Sequence, residues 1–351
     1  MKKFIISIFL SVSYIILLSL SSFAGDNKTV TIFYTGDLLG QITSIHCCGG
    51  RLSGGLARNA SVIKSVRNKD DRVLLLDNGA LLPSIQSSDS YIIADLGLKA
   101  MNRMGYAAMN LGGNEFFLGA DFLKRVTSTI NFPLVTSNLV YKDSRLPFGE
   151  RYVIKDVGDV RIAIIGIMPA DSFNNVLEPQ SVEGLEIMSP GDALKVLLPE
   201  VRKKADLVIL LSQCGFEYTT LLVNDIGGID IAMSSRGKKS KHTDENAKTS
   251  VLEVGYKGKY LGVLRLKVDD AGQVLSGQNE MIELDESVVP DEEIVEITGD
   301  DIRTRVGVER RMREERRRRE IEREIKELQK LSPQEYLNLQ LKKQSEAGDI
   351  Q

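Results

Sequence analysis

A layered α/β domain is the fold class this sequence predicts, and three observations predict it. Between about residues 30 and 233, short apolar, β-branched runs alternate with segments of helical apolar spacing. The first run, Thr31-Ile32-Phe33-Tyr34-Thr35, stops at Gly36-Asp37, which is how an α/β protein delivers a carboxylate to the mouth of its sheet. The chain has 351 residues, 42% of them hydrophobic, enough to bury a sizeable core.

Taken in order, the N-terminus comes first. Lys2-Lys3, an apolar run from Phe4 to about Leu20, and Ser22-Phe23-Ala24-Gly25 are the charged, apolar and small-residue parts of a secretory signal. The expectation is a signal peptide at residues 1–24, cleaved after Ala24, and a periplasmic or extracellular protein. The alternative is an uncleaved anchor, since the run approaches the ~20 residues a spanning helix needs; membrane association is expected only in that case. No cysteine follows the run directly, so lipoprotein processing is not indicated.

Strands are expected at residues 30–35, 73–77, 107–111, 134–138, 160–167, 207–212 and 229–233, most of them apolar on both faces as covered strands should be. Helices are expected at 55–68, 91–104, 119–129 and 190–205 from their apolar spacing. Residues 250–256, 259–269 and 273–283 read as antiparallel strands, with Asp270-Ala271-Gly272 as a turn.

Past Pro290 the composition changes. Asp291-Glu292-Glu293 is a helix start with acids at the positive end of the dipole, and the chain from Asp301 to Leu331 is dense in Arg and Glu. Ile321, Ile325 and Leu328 make only a short stripe, so residues 290–351 are expected to be a charged helical tail held by neighbouring ion pairs, with a second short helix capped by Ser332-Pro333-Gln334-Glu335. The segment 301–345 is a candidate docking arm for a protein partner. A net charge of −3 and the absence of Trp argue against a nucleic-acid partner.

The chemistry lies where the strands end, in Gly36-Asp37-Leu38-Leu39-Gly40, Leu76-Asp77-Asn78-Gly79-Ala80, Leu111-Gly112-Gly113-Asn114-Glu115-Phe116, Leu211-Ser212-Gln213-Cys214-Gly215 and Ser234-Ser235-Arg236-Gly237-Lys238. In this order and spacing the segments resemble the metallophosphatase domain of the secreted 5′-nucleotidase family, within the calcineurin-like phosphoesterases. The resemblance covers about residues 28–286 and implies a β-sandwich flanked by helices; the family's nucleoside-binding C-terminal domain has no counterpart in the sequence. It also implies a two-metal site, since paired divalent ions clamp a phosphate and ionise a bound water. Against that pattern Asp37 keeps the first aspartate, Leu39 replaces a histidine, and Ala80 stands at the Gly-Asp aspartate, unless that carboxylate is displaced to Asp77. Gly113 and Asn114 fall on an Asn-His pair, leaving Glu115, while Gln213, Arg236 and Lys238 fall on the later histidines.

The whole chain has two histidines, His46 and His242, which cannot restore that set. Asp37 and Asn114 could give a weak oxygen-ligated cation site. Arg51, Arg236 and Lys238 suit an anion instead. Separately, Cys47 and Cys48 follow the first strand and Cys214 follows a later one. They read either as a redox-active or thiolate-metal site, or as a structural disulfide between Cys214 and one of the pair; the disulfide is favoured because the thiols lack a recognised ligand spacing.

The expected function is an exported, catalytically degenerate 5′-nucleotidase-like protein that binds an anion or a protein partner, with no cofactor. The alternatives are a residual phosphoric monoester hydrolase, the one reading that needs a divalent metal, and a thiol redox protein using Cys47, Cys48 and Cys214.

Overall fold

The structure is a computed structural model that describes residues 28–46, 52–83, 89–174, 176, 179–235, 249–269 and 273–300, with short stretches between 317 and 334. The expected signal segment, Cys47, Cys48, Arg51, Arg236, Lys238 and most of the charged tail lie outside the described residues. The chain divides into a compact unit ending at Gly299 and a second unit over 300–351.

The first half of the domain runs β1 (Lys28–Thr35), β2 (Ile45–His46), β3 (Leu52–Ser53), α1 (Leu56–Arg67), β4 (Val73–Asp77), α2 (Ser90–Met104), β5 (Ala108–Asn110), α3 (Ala120–Thr127), β6 (Leu134–Val135) and β7 (Leu139–Tyr141). The second half runs β8 (Tyr152–Val157), β9 (Val160–Ile167), β10 (Leu185–Ile187), α4 (Pro190–Val201), β11 (Leu207–Ser212), α5 (Phe216–Ile226), β12 (Ile231–Ser234), β13 (Ser250–Glu253), β14 (Tyr260–Val268), β15 (Val274–Glu283) and α6 (Glu292–Val295). Two main sheets result, a six-stranded one in the order β15-β14-β1-β4-β5-β6 and a five-stranded one in the order β13-β12-β11-β9-β8. Strands β1, β4, β5 and β6 are mutually parallel, as are β9, β11, β12 and β13, so each sheet gathers loops at one end.

The two sheets pack as a sandwich because alternate residues of each strand face the other sheet. Ile32, Tyr34, Leu74 and Leu76 meet Ile162, Ile164, Ile209 and Met233 in one buried cluster. The intervening residues of the second sheet, Ile165, Ile167, Val208 and Leu210, pack on Leu194, Leu197 and Val201 of α4 and Val223 of α5. A strand covered on both faces needs apolar residues throughout, which is why β11 reads Leu-Val-Ile-Leu-Leu. Helix α4 starts at Ser189, whose hydroxyl accepts from the Asp192 amide, with Pro190 at the first helical position.

Three features depart from the sequence reading. The sequence reads residues 250–256 as an antiparallel strand, yet β13 runs parallel to β12. Ser250 N–H donates to Asp230 O (3.1 Å) and the Thr249 hydroxyl to Ile229 O (2.7 Å), which sets the two strands off side by side in one direction. Helix α5 has no counterpart among the expected helices, because only Thr219 and Val223 of it are buried and no apolar stripe announces it. The compositional boundary at Pro290 also falls short of the structural one. Asp291 N–H donates to Ala57 O, its carboxylate pairs with Lys64 at 3.2 Å, and Ile294 and Thr298 are buried, so α6 belongs to the domain. In the second unit, described residues 317–319, 321–323 and 325–326 are helical and exposed, with Arg318 and Glu322 3.4 Å apart at i,i+4. Among the described residues no helix is long and apolar enough to cross a membrane.

Candidate functional site

The C-terminal ends of the parallel strands of both sheets converge on one mouth, and backbone hydrogen bonds build its floor. Asp37 N–H donates to Gly79 O (2.9 Å), Leu39 N–H to Ala80 O (2.9 Å) and Gly40 N–H to Leu81 O (2.7 Å), so the loops after β1 and β4 are joined like a short ladder. Asp37, Leu39 and Ala80 all lie in the left-handed region, with φ of 48°, 50° and 60°. That conformation costs a residue with a Cβ about 1–2 kcal/mol, and Leu and Ala have no side-chain polar group to offset it.

Two buried carboxylates hold this floor. Glu115 sits on the 3-10 helix at Gly113–Leu118 and accepts from the amides of Gly112 (2.7 Å), Leu81 (2.7 Å) and Ala80 (3.3 Å). Its three amide donors favour the charged form, but burial outweighs them and pushes its pKa up to about 7. Asp77 accepts from the Thr35 hydroxyl (2.6 Å) and the Gly79 amide (2.8 Å), and the Thr35 hydroxyl also meets the Tyr106 hydroxyl at 2.8 Å. Burial raises the Asp77 carboxyl to about 6 and lifts the Tyr106 phenol well above its ordinary value.

Above the floor, three amide side chains span the gap between the sheets. The Asn110 amide donates to Ile167 O (3.0 Å) and Leu211 O (3.1 Å), and the Asn78 amide to Ser212 O (2.9 Å) and Ser235 Oγ (2.6 Å). Gln213 Nε2 donates to Asn78 O at 2.7 Å and lies 3.5 Å from Asp37 Oδ1. Because a carbonyl can only accept, this contact fixes the Gln213 NH2 end toward Asp37. The Oδ1 atoms of Asn78 and Asn110 are buried with no hydrogen-bond partner. The Lys257 N–H donates to Asp37 O at 2.8 Å, and its ammonium lies 5.4 Å from the Tyr256 ring.

The structure thus brings Asp37, Leu39, Ala80, Gly113, Glu115 and Gln213 into the expected mouth. Asn114 is half-buried on the same turn, but its amide donates to Leu82 O (3.0 Å). Cys214 begins the loop before α5, and its side chain packs on the outer helical layer near Phe216 and Leu222. Cys47 and Cys48, its expected partners, lie outside the described residues. Sequence reasoning passed over Asn78, Asn110 and Lys257. Asn78 stands in the Asp77-Asn78-Gly79-Ala80 segment and Asn110 at a strand end, but nothing local says that either reaches across to the other sheet.

Among the described residues, the donor set does not fit a two-metal centre. Of the ligand positions implied by the resemblance, Leu39, Ala80 and Gly113 offer no side-chain donor atom, Gln213 presents hydrogens toward Asp37, and Glu115 is engaged by three backbone amides. Among the described residues no group of three or more His, Cys, Asp or Glu is placed to hold a metal ion.

No protein-family model matches the chain. The 5′-nucleotidase of Bos taurus is 26% identical over 308 residues, covering 76% of this chain and 51% of that protein, and that of Homo sapiens is 26% identical with the same coverage. The chain spans about half the length of these curated relatives. Among solved structures, a 5′-nucleotidase precursor from Thermus thermophilus matches with a TM-score of 0.66 at 21% identity, covering 77% of this chain and 57% of that one. The calcineurin-like phosphoesterase YfkN from Bacillus subtilis also gives 0.66 at 21% identity, with 77% of this chain and 96% of that one covered. The chain is thus similar in sequence to 5′-nucleotidases over about three quarters of its length, and it has the calcineurin-like phosphoesterase fold.

Proposed function

We propose that this is an exported, catalytically degenerate metallophosphatase-fold protein whose mouth binds an anion or an anionic group of a protein partner. The observation that carries the reading is the Gln213 amide beside Asp37: a donor stands where a metal ligand would need a lone pair, and Leu39, Ala80 and Gly113 supply nothing in its place. Arg51, Arg236 and Lys238 in the sequence favour an anion over a cation. The charged arm at 301–345 offers a partner a docking segment.

Metal analysis of the purified chain, run beside a nucleotide hydrolysis assay with added Mn²⁺, tests the reading. The expected result is fewer than two bound transition metals per chain and no turnover. Two bound ions, or a hydrolysis that disappears on Asp37→Ala, would overturn it. The competing reading, a residual phosphoric monoester hydrolase using a divalent metal, draws support from the names of its relatives and from the retained Asp37 at its strand end. It predicts that second outcome.

A further inference from the structure

A cleft of about 230 Å³ opens between α1, the C-terminal end of α2 and the start of α6. Helix α1 leads into β4 and α2 into β5, so the cleft lies at the N-terminal ends of the parallel strands, the opposite end of the sheet from Asp37 and Ala80. It is smaller than the roughly 300–1,000 Å³ of a site for a drug-sized molecule, which limits an occupant to a few atoms more than a fragment. Ala60 and Ile63 of α1, Met104 of α2 and Ile294 of α6 give it an apolar floor. Its rim is charged, and two of the three cations there are already matched, Lys64 with Asp291 at 3.2 Å and Arg103 with Glu293.

The third cation, Arg67, has no carboxylate among the described residues. Its Nη1 and Nη2 groups donate to Met104 O and to Gly105 O (3.0 Å), the carbonyls that end α2 where Gly105 turns the chain at φ of 72°. These bonds meet the negative end of the helix dipole and use two of the five N–H donors of a guanidinium. They also hold the half-buried side chain in place, so an anion meeting its remaining donors orders little that is not already ordered. Burial lowers the Arg67 pKa from its ordinary value, the direction expected of a cation taken out of water. The rim fixes the charge of the occupant: three cations against two carboxylates leave room for one negative charge, and a dianion would be repelled by Asp291 and Glu293. The fork of a guanidinium matches the two oxygens of a carboxylate, and the floor asks for an apolar body. We propose that this cleft binds a small monocarboxylate with an apolar body, its carboxylate on Arg67 beside the exposed Asn68 amide and its body over Ile63, Met104 and Ile294.

Titration of the full chain with hexanoate, followed through the methyl signals of Met104, Ile63 and Ile294 in carbon-edited NMR spectra, tests the proposal independently of the mouth. Hexanoate should shift these signals saturably, whereas hexanol, which keeps the body and loses the charge, and inorganic phosphate, which keeps the charge and loses the body, should bind at least about tenfold more weakly. Arg67→Gln removes the charged hydrogen bonds and should weaken hexanoate about 10- to 100-fold. Because Arg67 also covers the end of α2, a second variant leaves it untouched: Ala60→Leu extends the floor into the cleft and should block hexanoate. The absence of a saturable shift overturns the proposal, as does hexanol binding as well as hexanoate. Phosphate binding more tightly than hexanoate, or hexanoate affinity unchanged in either folded variant, overturns it as well.

Discussion

Gly166→Ala tests whether the two sheets approach at the mouth as closely as described. A Cβ built on Gly166 would lie 2.2 Å from Val135 O and 2.5 Å from Asn110 Oδ1. The Asn110 side chain could turn, but only by giving up its bonds to Ile167 O and Leu211 O, and the Val135 carbonyl cannot move without its strand. A further constraint comes from Ser137, whose N–H donates to Gly166 O at 2.6 Å. Restoring an ordinary contact therefore needs a shift of roughly 1 Å between β9 and β6, and overpacking of that kind costs about 1–3 kcal/mol. Since an immovable backbone atom is involved, the upper end applies, reduced by the roughly 0.5–1 kcal/mol that Ala gains over Gly through the unfolded chain. The net expectation is a loss of about 2 kcal/mol, a fall in melting temperature of about 4–8 °C for a domain of this size. Gly184→Ala is the control, because a Cβ there meets nothing within 4 Å. Urea unfolding should show a lower midpoint at unchanged slope for Gly166→Ala and an equal or higher midpoint for Gly184→Ala. Equal midpoints for the two variants would refute the close approach of the sheets and, with it, the geometry assigned to Asn110.

Stability should fall as pH rises through the range in which Glu115 and Asp77 hold protons only in the folded state. Glu115 is raised from 4.5 to about 7, so its stabilisation is complete below pH 4.5 and lost as pH climbs through about 7. At about 1.4 kcal/mol per unit this amounts to roughly 3 kcal/mol, and Glu115→Gln should flatten the upper part of the profile in a urea titration against pH, leaving the part due to Asp77 below about 6. A variant whose profile matches the unmodified chain would rule out Glu115 as the titrating group. For the tail, truncation after Gly299 should leave the melting temperature within about 2 °C of the full chain, because so few apolar positions follow. Truncation after Glu293 also deletes Ile294 and Thr298, each 2% exposed, and should cost about 2–4 kcal/mol by the same measurement.

Much of the scaffold was legible because local pattern and burial agree in it. Strands β4, β9 and β11 fall at the expected residues 73–77, 160–167 and 207–212, where both faces are covered and the apolar run is bounded by turn residues. Helix α2 ends at Gly105 with φ of 72°, a stop that the sequence displays openly. What stayed hidden depends on partners remote in sequence. The direction of β13 is set by hydrogen bonds to residues at the start of β12, and α5 is half-exposed, so neither has a periodic signature. In the site, the positions could be read and their contacts could not. Glu115 was recognised as a retained acid, yet its partners are backbone amides, which no side-chain pattern records.

The left-handed residues at the mouth show what the site's shape depends on. Leu39 and Ala80 hold a conformation that costs each about 1–2 kcal/mol, with no side-chain bond to offset it. They remain in it, at φ of 50° and 60°. What holds them is present in the chain itself: the ladder from Asp37 to Leu81, the three amides gathered by Glu115, and the Gly79 amide held by Asp77. The same backbone that would aim metal ligands into the mouth is therefore fixed by carboxylates beneath it that need not touch a ligand. Such a floor does not depend on the side chains above it, because those at Leu39 and Ala80 can change without removing any bond that keeps their loops in place. In the binding reading, specificity then rests on the polar groups held at these strand ends, chiefly Asp37 and Gln213.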